Sequence, residues 1–190
     1  VYNSAIIKEP KWKRWVVETT GPIFTPKLCQ EIIDLSKTLP KEKGTGLTKI
    51  IVRESTVGWL PFNKMQPMYD DINNFIQKTN RNHFGFGDIQ IREEAQITEY
   101  IKGGFYAWHT DTAVDMDSEP PVRKLSMTLL LNDPSEFEGG ELQIAGVNNQ
   151  KIMKQGHATI FASFLQHRIT PVTRGVRRSL VMWFGGEPFK

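Results

Sequence analysis

His109 and Asp111 stand two residues apart in the run Ala107-Trp108-His109-Thr110-Asp111. In an extended strand, side chains at that spacing project to the same face, so an imidazole nitrogen and a carboxylate oxygen there could meet one metal ion from one side. A third donor, His167, lies 56 residues beyond Asp111 in the run Phe164-Leu165-Gln166-His167-Arg168-Ile169. Two histidines and one carboxylate leave positions open on the metal, an arrangement that suits non-heme iron. On these three residues alone, His167 fits a core histidine held by a backbone carbonyl better than it fits a ligand. A hydrolytic zinc ion would accept the same donors.

Ten residues after His167 comes Arg177-Arg178-Ser179-Leu180-Val181-Met182-Trp183. Strand alternation puts 177, 179, 181 and 183 on one face. That face offers a guanidinium, a hydroxyl, an aliphatic group and an indole. A buried guanidinium is costly without an anion, and its planar fork beside a hydroxyl matches a carboxylate. The face therefore reads as a socket for a dicarboxylate whose other end reaches the metal. On the residues alone, two alternatives stay open: Arg178 points inward instead, or both arginines lie on an exposed edge.

Short strands must position these groups. From Ile89 onward, apolar and polar residues alternate in segments at 90–101, 107–110, 123–131, 141–144, 157–161, 166–171 and 177–184. Gly103-Gly104, Asn132-Asp133-Pro134, Gly139-Gly140, 147–150 and Arg174-Gly175 separate them. About seven strands punctuated in this way predict a jelly roll or a related β-sandwich. Ahead of them, Thr25-Pro26 reads as an N-cap followed by proline at the first helical position. The helix it opens carries Leu28, Ile32, Ile33 and Leu35 on one stripe and ends before Pro40. A second amphipathic helix is predicted over 67–80, burying Met68, Ile72, Phe75 and Ile76. A strand over 12–20, a loop over 41–46, a short strand over 50–52 and a turn region over 83–88 complete the first half. The acidic, proline-bearing stretch 114–122 reads as a loop beside His109 and Asp111.

Taken in order, Tyr100, His109-x-Asp111, Gly139-Gly140-Glu141-Leu142, Gly156, His167, Pro171-Val172, Gly175-x-Arg177-x-Ser179 and Trp183 resemble the Fe(II)/2-oxoglutarate-dependent dioxygenases, in particular their prolyl-4-hydroxylase-like, PKHD-type branch. The resemblance covers about residues 96–184. It implies an α+β, mainly β fold: a double-stranded β-helix (jelly roll) with supporting N-terminal helices. It further implies one domain over 1–190, with helical support about 1–88 and the catalytic core about 89–187. His109, Asp111 and His167 would ligate iron. Arg177 would pair with the distal carboxylate of 2-oxoglutarate, and Ser179 would add a hydroxyl to it. Tyr100, nine residues before the first ligand, and Trp183 would line that pocket. Leu130 falls where some relatives place a second tyrosine. The implied reaction consumes O2 and 2-oxoglutarate, releases succinate and CO2, and hydroxylates an unactivated C–H, with ascorbate helping to keep the iron ferrous.

Composition narrows the setting. The chain has 190 residues, is 39% hydrophobic and 24% charged, and has a net charge of +3, ordinary values for one globular domain. A single cysteine, Cys29, forms no intrachain disulfide, which agrees with a reducing, cytoplasmic setting. It reads as a small buried hydrophobe on the first helix. The residues show neither a signal peptide nor a membrane-length apolar run. The substrate expected from the resemblance is a peptide or protein, plausibly at proline. A nucleic-acid base, as in demethylating relatives, is the alternative. The pI near 9.0 favours it slightly, but there is no long basic run with interleaved aromatics. A non-enzymatic β-sandwich binding module would carry the same histidines without a metal. His83 and His157 lack a carboxylate at ligand spacing and are set apart from the site. Phe105, Tyr106, Arg123 and Lys124 are candidate walls of it.

Overall fold

The computed structural model describes residues 14–44, 52–112, 122–147 and 153–188. The acidic loop, apart from Val122, lies outside those residues, as do positions 12–13 of the predicted first strand, 50–51 of the predicted short strand and the turn at 148–150. Element order is β1 (Val16–Glu18), α1 (Pro26–Ser36), β2 (Glu42–Lys43), β3 (Arg53–Glu54), β4 (Thr56–Leu60), α2 (Gln66–Thr79), β5 (Ile89–Ile91), β6 (Ala95–Tyr100) and β7 (Phe105–His109). It continues with β8 (Val122–Leu130), β9 (Phe137–Gly139), β10 (Leu142–Ile144), β11 (Ala158–Ala162), β12 (His167–Ile169), β13 (Val172–Gly175) and β14 (Arg177–Gly186).

The helices begin as their residues dictate. Thr25 is extended at φ −69°, ψ 155°, and its hydroxyl accepts from Leu28 N, 3.2 Å away, with Pro26 behind it. This satisfies one of the amide donors that a helix start leaves free. Cys29, Ile32, Ile33 and Ser36 form the buried side of α1, while Leu28 and Leu35 are half-buried at its margin. Helix α2 buries Met68, Tyr69, Ile72 and Ile76, and then widens into one π-turn, Asn80–Phe84. That turn runs into the predicted 83–88 turn region and stops at Gly85, whose φ of 75° suits glycine. No helix among the described residues is long and apolar enough to cross a membrane.

The large antiparallel sheet has the order β1-β11-β8-β14-β6-β4-β2, with β5 also paired to β14. A smaller sheet has the order β10-β12-β7-β3, and β13 pairs with β9. These sheets form the jelly roll. The first half contributes β1, β2, β3 and β4 to them as well as the two helices; β1 falls in the predicted strand over 12–20, whereas β2 interrupts the predicted loop over 41–46, and β2, β3, β9 and β13 are short pieces that alternation alone does not mark out. Alternation then separates two environments. Leu125, Met127 and Leu129 of β8, Leu180, Met182 and Phe184 of β14, and Ala95 and Ile97 of β6 join the helices in one apolar core. A second, smaller cluster of Tyr100, Leu142, Ile144, Phe161, Ile169 and Val172 lies between the sheets.

Candidate metal and dicarboxylate site

β14 runs between β8 and β6, and its register decides what the inner face presents. Arg177 pairs with Tyr100, Ser179 with Thr98 and Leu130, Val181 with Gln96 and Thr128, and Trp183 with Ser126. Every one of these positions has inward parity, so three strands deliver a polar surface to a single cavity of about 430 Å³. His109, Asp111, His167, Arg177, Ser179, Tyr100 and Trp183 all line it.

His109 and His167 are direct register partners across β7 and β12. Their rings lie 4.1 Å apart, centroid to centroid. His109 Nδ1 is 2.8 Å from Ala107 O and His167 Nδ1 is 3.0 Å from Leu165 O. Each carbonyl accepts a hydrogen bond from Nδ1–H, which leaves Nε2 of the neutral imidazole to offer its lone pair, the orientation that a metal ligand needs. Asp111 completes the set: Oδ1 is 3.6 Å from His109 Nε2 and Oδ2 is 3.5 Å from His167 Nε2. One ligand atom from each of the three residues lies within 4.8 Å of the others. Burial alone would raise the Asp111 carboxyl, but the neighbouring His109 and His167 imidazoles and the Ser126 hydroxyl outweigh it and, with no metal bound, hold it well below the usual carboxylate range. Burial pushes the His167 imidazole down despite Asp111 beside it, which favours the neutral, metal-binding form.

At the other end, Arg177 is 2% exposed. Its Nη1 donates to Ser179 Oγ at 3.0 Å, and its guanidinium lies 5.7 Å from the Tyr100 ring centre. Nη2 is buried without a partner; among the described residues, the one other buried side-chain nitrogen or oxygen in that condition is Trp183 Nε1. A guanidinium nitrogen left unpaired in the interior is a strong cost, and a carboxylate would remove it. Arg178 instead turns to Glu99, 3.4 Å away. Leu130 sits beside Ser179 in register, so a hydroxyl on that side comes from Ser179.

Of the four candidate walls, Tyr106 and Arg123 line the cavity and Phe105 and Lys124 do not, while Arg53 reaches it from an element that the sequence pattern did not connect with it. Arg53 enters through the pairing of β3 with β7, donates to Ser55 Oγ at 2.7 Å and to Gln96 Oε1 at 2.9 Å, and lies over the Tyr106 ring at 4.6 Å. Its Arg-x-Ser spacing repeats that of Arg177-x-Ser179, a signal that could have marked it. Tyr106 stacks on His109, with centroids 3.5 Å apart. Arg123 is paired with Glu93 and covers Trp183 at 3.9 Å. His83 and His157 lie elsewhere, the latter with Nδ1 3.3 Å from Thr19 O. A broader depression of about 870 Å³ reaches Arg177 from the β9–β10 side, away from the three ligand residues.

Residues 95–185 match the family model described as the 2OG-Fe(II) oxygenase superfamily. A PKHD-type hydroxylase of Klebsiella pneumoniae is 40% identical over 91 residues, 46% of this chain and 41% of that protein. A PKHD-type hydroxylase of Synechococcus is 36% identical over 90 residues, 46% of this chain and 40% of that protein. The matched region thus spans about two fifths of the length of these curated relatives. The fold is similar to the viral collagen prolyl hydroxylase of Paramecium bursaria Chlorella virus-1, solved with 2OG, at a TM-score of 0.73, 19% identity and coverage of 92% of this chain and 97% of that one. A Pseudomonas putida prolyl-4-hydroxylase follows at a TM-score of 0.70, 19% identity and coverage of 91% and 93%. The region that matches the 2OG-Fe(II) oxygenase superfamily, residues 95–185, is the region that carries Tyr100, His109, Asp111, His167, Arg177, Ser179 and Trp183 of the register-built cavity.

Proposed function

We propose that the chain is an Fe(II)- and 2-oxoglutarate-dependent dioxygenase that hydroxylates an unactivated C–H of a peptide or protein, with proline the favoured residue. The observation that carries this reading is the buried, half-paired guanidinium of Arg177 in the same cavity as the converging nitrogens and carboxylate of His109, His167 and Asp111. His109, Asp111 and His167 would hold the iron. Bound there, Fe(II) with 2-oxoglutarate and O2 supplies the oxidation, and the co-substrate leaves as succinate and CO2. Arg177 Nη2 would bind the distal carboxylate, with the Ser179 hydroxyl beside it. Tyr100, Leu142, Phe161 and Ile169 wall the cavity and exclude water from the co-substrate.

Trp183 lies six positions along β14 from Arg177, about 20 Å in an extended strand. The end of the cavity formed by Trp183 and Arg123 is, in this reading, where the primary substrate would enter. A peptide agrees with a similarly folded prolyl hydroxylase from Trichoplax adhaerens solved with a peptide fragment. In this reading residues 1–190 act as one unit, the helices bracing the sheet that carries β14, and ascorbate keeps the metal ferrous.

The test is Fe(II)-dependent conversion of 2-oxoglutarate to succinate, with mass spectrometry of a peptide library for the gain of one oxygen. His109→Ala and His167→Ala should abolish both. An iron-loaded wild-type protein that neither binds nor decarboxylates 2-oxoglutarate with any peptide offered would sink the reading.

A further inference from the structure

The three ligand residues are not positioned by the same device. His109 and His167 face each other in register, so the small sheet sets their separation. β7 ends at His109, and Asp111 sits in the bend beyond it. Its backbone is tied across to the turn after β11, where Ser163 O accepts from Asp111 N at 2.9 Å and from Thr112 N at 3.3 Å. Its carboxylate is tied to β8: Ser126 Oγ donates to Asp111 Oδ2 at 2.6 Å and lies 2.9 Å from Ser163 Oγ. Ser126 has a single hydroxyl proton. With that proton on Asp111, the Ser163 hydroxyl must donate to Ser126, so the chain of bonds has one direction.

Both serines are fully buried. Ser126 is also held from both sides, opposite Phe161 of β11 and opposite Trp183 of β14. It is a stiff point from which to fix a ligand that leaves the sheet. Both Asp111 oxygens border the space between the two Nε2 atoms, so an unrestrained carboxylate could grip a metal with both. That would consume a position which the keto acid and O2 need.

We propose that Ser126, backed by Ser163, is a positioning residue that occupies Asp111 Oδ2 and presents Oδ1 alone to the metal. The inference rests on the metal-site reading above. Partners of this kind alter metal affinity about 10- to 100-fold when removed.

The experiment measures Co(II) binding by calorimetry and by visible absorption, followed by 2-oxoglutarate binding to the Co(II)-loaded protein. Wild type, Ser126→Ala, Ser126→Thr, Ser163→Ala and His167→Ala are compared. Ser126→Ala should weaken Co(II) binding about 10- to 100-fold, move the absorption toward a higher coordination number and weaken 2-oxoglutarate binding. Ser126→Thr keeps the hydroxyl on a residue that strands tolerate and should restore all three. Ser163→Ala should shift the same readouts in the same direction, by less, and carries the test if Ser126→Ala does not fold. The metal-free melting temperature separates misfolding from ligand misplacement. Wild-type Co(II) affinity and an unchanged spectrum in Ser126→Ala, or in Ser163→Ala where that variant stands in, overturn the proposal while leaving the metal site intact. A wild type that binds no more Co(II) than His167→Ala overturns the metal site itself.

Discussion

The two faces of β14 are built to opposite rules. Leu180, Met182 and Phe184 point to the helices and are buried among apolar neighbours. Arg177, Ser179, Val181 and Trp183 point the other way into the cavity, and the side-chain nitrogens buried without partners among the described residues, Arg177 Nη2 and Trp183 Nε1, both belong to this face. The outer face is complete without a ligand. The inner face carries desolvated donors that the protein does not satisfy. The difference teaches that the apolar face stabilises enough to support the strained one, as expected where a binding site sits on a rigid scaffold.

Exchanging the properties of the two faces tests that contrast most severely. Arg177→Met keeps length and removes the donor. It should weaken 2-oxoglutarate binding about 100- to 1,000-fold, in line with truncation of a buried charge partner. The metal-free protein should melt no lower than wild type, because an unpaired buried charge gives way to an apolar chain. A loss of several kcal/mol on chemical denaturation would instead make Arg177 a structural group and dissolve the contrast. Leu180→Ala, three positions along on the opposite face, should cost about 2–5 kcal/mol in the same denaturation experiment. Its 2-oxoglutarate affinity per folded molecule should remain close to wild type.

Tyr69 sharpens the picture of the helix-facing side through pH. Its hydroxyl donates to Leu60 O at 2.5 Å and accepts from Ala95 N at 2.8 Å. Burial, partly opposed by the Ala95 hydrogen bond, pushes its phenol up to about 12. A raised folded-state pKa contributes stability that is present below the unfolded value near 10 and is lost as pH rises toward 12, roughly 2–3 kcal/mol in all. Unfolding followed across that window should show this loss in wild type and a shallower one in Tyr69→Phe; equal slopes would remove the assignment. The smallest effect belongs to the exposed start of α1. Thr25→Ala deletes the cap to Leu28 N and should cost about 1 kcal/mol by thermal melting, with metal and 2-oxoglutarate binding unmoved.

The core strands were legible because half-buried strands alternate. The expected segments at 123–131 and 177–184 correspond to β8 and β14, and the inward set at 177, 179, 181 and 183 could be read from parity alone. The single buried thiol was legible too: Cys29 lies on the inner side of α1, and burial pushes its pKa up to about 11. Legibility failed where a strand was too short for a period to show. Arg53 lies in the two-residue β3, and nothing local reveals that β3 pairs with β7 and brings Arg53 over Tyr106.

By itself, the sequence determined which residue types were available, where the strands alternate, and the motif order from Tyr100 to Trp183, because these depend on local spacing. Tertiary structure decided the rest. It placed His109 opposite His167, left Arg177 Nη2 unpaired, brought Arg53 and Arg123 to the same cavity, and supplied Asp111 with Ser126 and Ser163. These outcomes depend on strand register between segments far apart in the chain, and register is set by which faces the whole molecule buries.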